Sequence, residues 1–353
     1  MTSSDIIRHR LVNQQIAETK FKTPQEIVGW LGAMQAQEYA HAKWAIGLRL
    51  PGFKDTDIEK IFNDGGILRT HLMRPTWHFV MPADIRWILA LTAPRVNAFN
   101  AFMYRKMELD STVFNRSNDV LTKTLEGGKH LTRTALSTAL AQAGIVADGV
   151  RLSCLMMRAE LDAVVCSGPR QGKQFTYALL EERVPPTKVL SQDEALATLA
   201  LRYFTSRGPA TIRDFVWWSG LTMKEAKTGI AMLDSRFVSE SIEGQQYFFL
   251  PNALRSMDKL QTSFLMPDYD EYGISYKDRS AIFIPKEQRP VAAISYHMFI
   301  IDGLITGSWQ RSIKKNNTVV EVVPFFPLNK SQQEKLTNAI ARYTSFVGNT
   351  PEE

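Results

Sequence analysis

Cysteine is scarce in this sequence of 353 residues, and its scarcity excludes several classes of protein. Two cysteines, Cys154 and Cys166, are too few for a disulfide scaffold and lack the spacing of a metal site. No apolar run approaches the roughly 20 residues that cross a bilayer, and no basic-then-apolar leader opens the chain. We therefore expect a cytoplasmic protein that has no membrane partner.

The signatures of the common enzyme classes are also missing. No GxGxxG segment follows a predicted strand, and the six histidines indicate no Ser-His-Asp or Cys-His catalytic set. Residues 168–173, GPRQGK, look like a phosphate-binding loop but have one residue too few between the glycines. Gln174 also stands where a Ser or Thr would hold magnesium. We therefore expect no cofactor.

Two groups of polar residues fit a structural role better than a metal site. His71 and His78 lie seven residues apart on a predicted hairpin, with no third ligand in view. The acids within residues 268–271 could bind magnesium, but acids this close more often cap a turn or pair with nearby cations, here Lys277 and Arg279. We therefore expect no bound metal.

The chain does contain a basic segment. The net charge of +6 says little, but residues 69–106 hold six cations against one acid, Asp84, with aromatic rings between them. Cations interleaved with rings suit a surface that contacts nucleic acid, although an ordinary amphipathic region would give the same pattern.

Helix-capping signals organise residues 191–250. Ser191, Thr211 and Thr222 each stand three residues before an acid, and each such capping box predicts the start of a helix. Two short strands, at residues 237–241 and 246–250, follow around a Glu-Gly turn. Helix, helix, turn, helix and hairpin is the plan of a winged helix, a variant of the helix-turn-helix.

The same plan recurs upstream, at residues 132–178 and, less completely, in the first third of the chain. A strand-rich region with a hairpin at residues 312–323 and a helix at residues 331–346 closes the sequence. The predicted fold is α+β, with tandem winged-helix modules and a small C-terminal β-barrel or sheet. The predicted domains are residues 1–118, 119–188, 189–255 and 256–353.

Gln35 and Gln37 form a polar pair close to a predicted helix end. Thr23, Pro24 and Glu26 mark the start of that helix, which we expect to end near Met34. Two amides at positions i and i+2 point to the same side of an extended backbone, but to nearly opposite sides of a helix. From the residues alone, the pair is either a polar helix terminus or a convergent site.

Six segments resemble one family in order and spacing: LGAMQAQE (31–38), RTHLMRPTWHFV (69–80), CSGPRQGKQFTYALL (166–180), SRGPATIRDFVWWSGL (206–221), LMPDYDEYGISYKDR (265–279) and DGLITGSWQR (302–311). On these segments the sequence resembles the AlkZ/YcaQ family of winged-helix DNA glycosylases over nearly the whole chain. The signature of that family is Gln, a hydrophobic or small residue, then Gln in AlkZ-like members and Asp in YcaQ-like members. Gln35 and Gln37 have the AlkZ-like form.

The resemblance implies a monofunctional DNA glycosylase that hydrolyses the N-glycosidic bond of purines alkylated at N7 or N3. Family members can also unhook interstrand crosslinks joined through purine N7. The residues implied to be catalytic are Gln35 and Gln37, which would orient the attacking water. No lysine lies in the motif, so we expect water rather than an amine to be the nucleophile.

The expected partner is double-stranded DNA that carries alkylated purines or crosslinks, bound by a monomer that is nucleoid-associated when on DNA. The candidate DNA-binding residues are Arg69, Arg74, His78, Arg170, Lys173, Trp309, Arg311, Lys314 and Lys315. The alternative is a non-catalytic winged-helix DNA-binding protein, either a transcription regulator or a lesion sensor, because most winged helices regulate rather than catalyse.

Overall fold

The computed structural model describes residues 1–251, 262–283, 297–314 and 317–348. In this part of the chain, fourteen α-helices surround four small antiparallel sheets, so the predicted mixture of helices and strands is confirmed. None of the described helices is long and apolar enough to cross a membrane. Both cysteines are buried free thiols.

The first third of the chain forms helices around a three-stranded sheet. Its elements are α1 (Ser3–Asn13), α2 (Pro24–Leu31), β1 (Ala33–Gln35), α3 (Tyr39–Arg49), α4 (Asp55–Asn63), β2 (Leu68–Leu72), β3 (Thr76–Val80) and α5 (Pro82–Lys106). The capping box at Thr23 is confirmed, since its hydroxyl accepts from the Glu26 amide. The helix ends three residues before the expected Met34, because Gly32 adopts a φ of +73°.

The second part repeats helices and a small sheet. Its elements are α6 (Ser111–Leu125), β4 (Leu131–Thr132), α7 (Arg133–Gln142), α8 (Gly149–Leu161), β5 (Val165–Ser167), β6 (Thr176–Leu179) and α9 (Leu180–Arg183). A separate apolar core, which includes Leu121, Leu136, Leu155 and Val165, lies inside this part.

The third part follows the capping signals closely. Its elements are α10 (Gln192–Arg207), β7 (Ala210–Thr211), α11 (Ile212–Ser219), α12 (Met223–Ala231), β8 (Val238–Ile242) and β9 (Gln245–Phe249). The capping boxes at Ser191, Thr211 and Thr222 are all confirmed. Each box fixes one helix start, so three short helices and a hairpin follow in the predicted order.

One strand order is common to the three parts. Their sheets run β1-β3-β2, β4-β6-β5 and β7-β9-β8, so in each sheet the strand that comes last in sequence lies in the centre. Each hairpin therefore pairs back onto a strand that precedes it by one or more helices.

The C-terminal part is an open sheet covered by one helix. Its elements are β10 (Ser263–Met266), α13 (Glu271–Ile274), a short 3-10 helix (Ser280–Ile282), β11 (Met298–Ile301), β12 (Leu304–Lys314), β13 (Asn317–Pro324) and α14 (Lys330–Val347). The predicted hairpin and closing helix are confirmed. Of the two predicted alternatives, the sheet is confirmed and the barrel is wrong, because the described strands run β10-β11-β12-β13 with β10 and β13 left as edges.

Two apolar cores join segments that are far apart in sequence. One core combines the helices of the first third with the C-terminal sheet and α14. Gly47 lets α3 and α14 approach closely, because a Cβ at this position would lie 2.3 Å from the ring of Phe346. The other core combines β2, β3 and α5 with α10, α11 and α12. The strand that carries Gln35 contributes Met34 to the first core and Ala33 to the second.

Candidate active site

Gln35 is the last residue of β1, where its backbone is extended. It lies opposite His78 of β3, and the next amide, of Ala36, donates to the carbonyl oxygen of Trp77 at 2.7 Å. Of the two backbone conformations considered for the Gln-Ala-Gln motif, Gln35 therefore has the extended one. The early end of α2 makes this possible, because Gly32 releases the chain from the helix before the motif begins.

Arg74 holds the side-chain amide of Gln35. The Arg74 Nη2 atom donates to Gln35 Oε1 at 3.0 Å, and the Gln35 side chain is largely buried at 8% exposure. Arg74 reaches the amide from the turn between β2 and β3. Because the guanidinium occupies one lone pair of the carbonyl oxygen, the second lone pair and the NH₂ group of Gln35 remain for other partners.

Glu271 holds the backbone of Gln35. One carboxylate oxygen, Oε1, accepts from the Gln35 amide at 2.9 Å. The other, Oε2, accepts from Arg207 Nη2 at 2.7 Å, Trp218 Nε1 at 2.9 Å and Ser275 Oγ at 2.6 Å. Both oxygens of this buried carboxylate are thus occupied by donors.

Arg207 extends the same support to the end of α2. It donates to the carbonyl oxygen of Leu31 at 2.7 Å and to that of Ala33 at 3.0 Å. The side chains of Arg207 and Glu271 are almost completely buried. The pair therefore ties α10 and α13 to the strand that carries Gln35.

The low pKa of Glu271 makes its carboxylate a weak base near neutral pH. Burial alone would raise the pKa of its carboxyl. The charge of Arg207 and hydrogen bonds from Ser275, Arg207 and the Gln35 amide outweigh burial and lower the pKa to about 2. Glu271 is therefore ionised, saturated with donors and able to position its neighbours, but unsuited to accept a proton.

The acids of residues 268–271 act partly as expected. Asp270 caps α13 by accepting from the Tyr272 amide at 2.8 Å, as the capping interpretation predicted. The expected ion-pair partners are wrong, because Asp270 pairs with Arg49 and Glu271 with Arg207, from distant helices. These cations are buried, so they satisfy the acids more completely than a nearby surface cation could.

A cavity of about 400 Å³ opens beside Gln35 and Arg74. Its wall also includes the aromatic residues Trp217, Tyr269 and Phe283 and the cation Arg279. Aromatic rings beside an amide and guanidinium groups can accept a planar, polar heterocycle. Gln37 is not among the described residues that line this cavity, so the structure brings Gln35, but not Gln37, to its wall.

Arg69 holds the backbone of the motif from the other side. Its Nε donates to the carbonyl oxygen of Ala36 at 3.0 Å, and its Nη2 lies 3.5 Å from that of Gln37. The guanidinium lies over the rings of Trp77 and Phe175, at 4.3 and 4.5 Å from their centroids. Burial lowers the pKa of Arg69 to about 10, so it stays charged. Arg69 is thus a support of the motif in this structure rather than a surface cation.

Buried polar atoms without partners concentrate on the hairpin beside Gln35. Within the described residues, Arg74 Nε, Thr76 Oγ1 and His78 Nε2 are buried and make no hydrogen bond. Burial lowers the pKa of His78 to about 3, so its ring is neutral, and its Nδ1 lies 2.9 Å from the Thr76 carbonyl oxygen. Such unsatisfied groups are uncommon in native interiors and cluster where a ligand or water binds.

Besides Arg69, two of the predicted DNA-binding residues are buried. The side chain of His78 is fully enclosed. Trp309 is 3% exposed, and its Nε1 donates to the Met266 carbonyl oxygen at 3.0 Å while its ring packs on His41 and Tyr343. Both rings are thus enclosed in this structure, and their contact with DNA stays a prediction.

Apart from Arg74, the other predicted DNA-binding residues whose side chains the structure describes make no hydrogen bond with either glutamine of the motif, and they are half-buried or exposed. Arg170 is half-buried, donates to the Lys173 carbonyl oxygen at 2.6 Å and lies 3.5 Å from Glu59, whereas Lys173 is exposed. Arg311 is exposed and donates to the hydroxyl of Tyr343 at 3.1 Å. The side chain of Lys314 and all of Lys315 lie outside the described residues.

Known proteins are similar to this chain over most of its length. The family described as "DNA glycosylase AlkZ-like" matches residues 28–346. An interstrand DNA cross-link repair glycosylase from Streptomyces sahachiroi is 23% identical over 321 residues, which cover 85% of each protein. The solved structure of Streptomyces sahachiroi DNA glycosylase AlkZ is similar in fold, with a TM-score of 0.78, 20% identity, and coverage of 99% of this chain and 98% of that one.

Proposed function

The chain belongs to the AlkZ-like family of DNA glycosylases, and we propose that it hydrolyses the N-glycosidic bond of purines alkylated at N7 or N3. An N7-alkylguanine is already cationic, so the base leaves without being protonated. The enzyme then has to place a water at C1′ and stabilise an oxocarbenium-like sugar. Positioning groups are sufficient for such a reaction.

The environment of Gln35 carries this proposal. Its amide lies at the wall of the cavity, with its carbonyl oxygen oriented by Arg74 and its backbone by Glu271. The remaining lone pair and the NH₂ group of Gln35 are the groups that hold the water. Glu271 does not take the proton of the attacking water, because both of its oxygens are occupied and its pKa is low. As the C1′–O bond forms and the bond to the base breaks, that proton passes to the solvent. The low basicity of an amide fits substrates whose leaving group is already activated.

Gln37, the second glutamine of the motif, acts together with Gln35. It is half-buried, and Arg69 reaches its backbone and that of Ala36. The extended strand ends at Gln35 and the chain bends at Gln37, and the proposed role of the Gln37 side chain is to approach a water held by Gln35 from outside the cavity.

Crosslinked DNA is the second proposed substrate. The Streptomyces sahachiroi relative is named as an interstrand cross-link repair glycosylase. A crosslinked base carries the opposite strand with it, so it cannot enter a closed base-flipping pocket. The cavity beside Gln35 suits such a lesion if the strand stays outside and only the heterocycle contacts the wall.

Duplex DNA binding is assigned to the three helix-and-hairpin parts, as tandem winged helices. Their shared strand order, with the last strand central, supports this interpretation. Lys173, Arg311, Lys314 and Lys315 are proposed to contact phosphates, so binding should weaken as salt rises. A monomer is the proposed active species.

The test is an excision assay on duplex DNA that contains one N7-methylguanine. The wild-type protein should generate abasic sites, seen as strand breaks after alkali treatment, and Gln35→Ala or Gln37→Ala should abolish most of them. Gln142→Ala, an exposed glutamine at the end of α7, is the matched control and should keep wild-type activity. Circular dichroism checks that each variant is folded.

Two results would contradict the proposal. Tight binding of the damaged duplex without abasic product would favour a lesion sensor or regulator. Full excision by folded Gln35→Ala and Gln37→Ala would remove both residues from the mechanism. If the wild-type protein excises the base, a panel of N7-methylguanine, N3-methyladenine and an N7-linked crosslink ranks its substrates.

A further inference from the structure

Two histidines and one aspartate meet at a point that plays no part in holding Gln35. His41 belongs to the first turn of α3, Asp268 to the loop between β10 and α13, and His297 comes directly before β11. One potential ligand atom from each lies within 4.8 Å of the others. Three separate elements thus bring metal-ligating groups together.

Asp268 differs from the acids that follow it. Asp270 and Glu271 each pair with a buried arginine, whereas the ion pairs of Asp268 among the described residues are with imidazoles. The Asp268 side chain is only 10% exposed. Its Oδ1 lies 2.8 Å from His297 Nδ1, yet both atoms are buried without a hydrogen bond, so their alignment is poor. A buried carboxylate oxygen in this state is one that a cation would satisfy.

The distances fit a tetrahedral metal ion. Zinc bonds to nitrogen and oxygen of about 2.0–2.2 Å place neighbouring ligand atoms about 3.4 Å apart. The observed separations are 2.8 Å from Asp268 Oδ1 to His297 Nδ1 and 3.6 Å from Asp268 Oδ2 to His41 Nδ1, one shorter and one longer than this spacing. Both separations lie within about 0.6 Å of the spacing that a tetrahedral ion would impose.

His41 already presents the required nitrogen. Its Nδ1 accepts from the Asp268 amide at 2.9 Å, so this atom is unprotonated and directed at the cluster. Its ring lies nearly parallel to that of Trp309, at 14° with 5.8 Å between centroids, which limits its rotation. Metal binding would take the place of the hydrogen bond from the Asp268 amide to this nitrogen.

We propose that His41, Asp268 and His297 bind one divalent transition-metal ion of the zinc class, with a fourth position open to water. Two imidazoles and one carboxylate are a ligand set typical of zinc, whereas magnesium and calcium prefer oxygen ligands. The ion would join α3 to the loop that leads to Glu271. The proposal is independent of which lesion the protein excises.

The test measures zinc binding by the full chain, prepared without a histidine tag and stripped of metal. In competition with a chromogenic chelator, the wild type should bind one zinc ion per chain. Asp268→Asn and His297→Ala should weaken binding at least about 100-fold, since loss even of outer-shell partners costs 10- to 100-fold. His130→Ala, which removes an exposed histidine elsewhere, is the matched control and should bind like the wild type.

Two further measurements separate a lost ligand from a lost fold. Zinc should raise the melting temperature of the wild type but not that of Asp268→Asn, and Co²⁺ should give the strong visible absorption of a low-coordinate site in the wild type alone. His297 is 40% exposed, so His297→Ala leaves no buried void and serves if Asp268→Asn does not fold. Equal zinc affinity of the wild type and the ligand variants, or an equal loss in His130→Ala, would overturn the proposal and leave a simple ion pair.

Discussion

Arg74→Lys distinguishes two roles for the cation beside Gln35. The sequence predicts that Arg74 binds DNA, whereas the structure joins it to Gln35 Oε1 at 3.0 Å. Lysine keeps the positive charge but loses the planar donor group that orients the amide. A phosphate contact would survive this change in large part, and an oriented amide would not.

The size of the effect follows from that one contact. A hydrogen bond from a charged donor contributes about 1.5–3 kcal/mol net. If this energy is lost in the transition state, at about 1.4 kcal/mol per factor of ten, the rate of base excision falls by about 10- to 150-fold. DNA affinity and its salt dependence should change little, because the charge remains.

The assay is single-turnover excision of N7-methylguanine at saturating enzyme, together with DNA-binding titrations at several salt concentrations. Arg116→Lys is the matched control, since Arg116 is exposed on α6 and does not line this cavity. Its excision rate should stay near that of the wild type. In a Gln35→Ala background, Arg74→Lys should have almost no further effect, because the amide that it orients is gone.

The opposite pattern would refute the positioning role. In that case Arg74→Lys would excise at the wild-type rate once saturated, while Arg74→Ala would bind DNA more weakly and reduce the salt slope by about one. Additive losses of excision rate in the Gln35→Ala/Arg74→Lys double variant would also contradict the positioning role.

Three further predictions concern the supports of the motif. Glu271→Gln should lower the free energy of unfolding in urea by about 3–5 kcal/mol, because Arg207 stays buried without its charge partner, whereas the exposed control Glu334→Gln should change it by less than about 0.5 kcal/mol. The folded-state pKa of Glu271, about 2, lies below its ordinary value of 4.5. The contribution of its ionised form to folding stability is therefore present above pH 4.5 and is lost as the pH falls towards 2. Acid unfolding curves should show a loss on the order of 3 kcal/mol in the wild type that Glu271→Gln lacks. Gly220→Ala should destabilise the fold by more than Gly244→Ala. Both glycines have a positive φ, but only a Cβ at Gly220 would meet the Met73 carbonyl oxygen, at 2.4 Å. Equal melting temperatures of the two variants would count against this clash.

Local signals predicted the elements of this fold well. The capping boxes at Thr23, Ser191, Thr211 and Thr222 each start a helix, because a cap and its partner lie three residues apart and need no tertiary contact. The end of α2 was predicted less well, since the left-handed conformation of Gly32 stops the helix before the last apolar residue of the pattern.

The supports of Gln35 could not be predicted in the same way. Glu271 is 236 residues from Gln35, and Arg207 is 64 residues from Glu271, so no spacing rule links them. The residue type of Trp309 fits a DNA-facing surface, and only its packing against His41 and Tyr343 shows that it is buried. The segments that resemble the AlkZ/YcaQ family do contain Arg207 and Glu271, and this was the one available signal for them.

The number of contacts around Gln35 is consistent with the weak chemistry of an amide. Under the proposed mechanism, a glutamine takes no proton and contributes through the position of the water that it holds. A displacement of 1 Å can cost such a reaction about 100-fold, so the support must be rigid. The buried pair of Glu271 and Arg207 fixes the strand, Arg74 fixes the amide, and Arg69 fixes the backbone that follows.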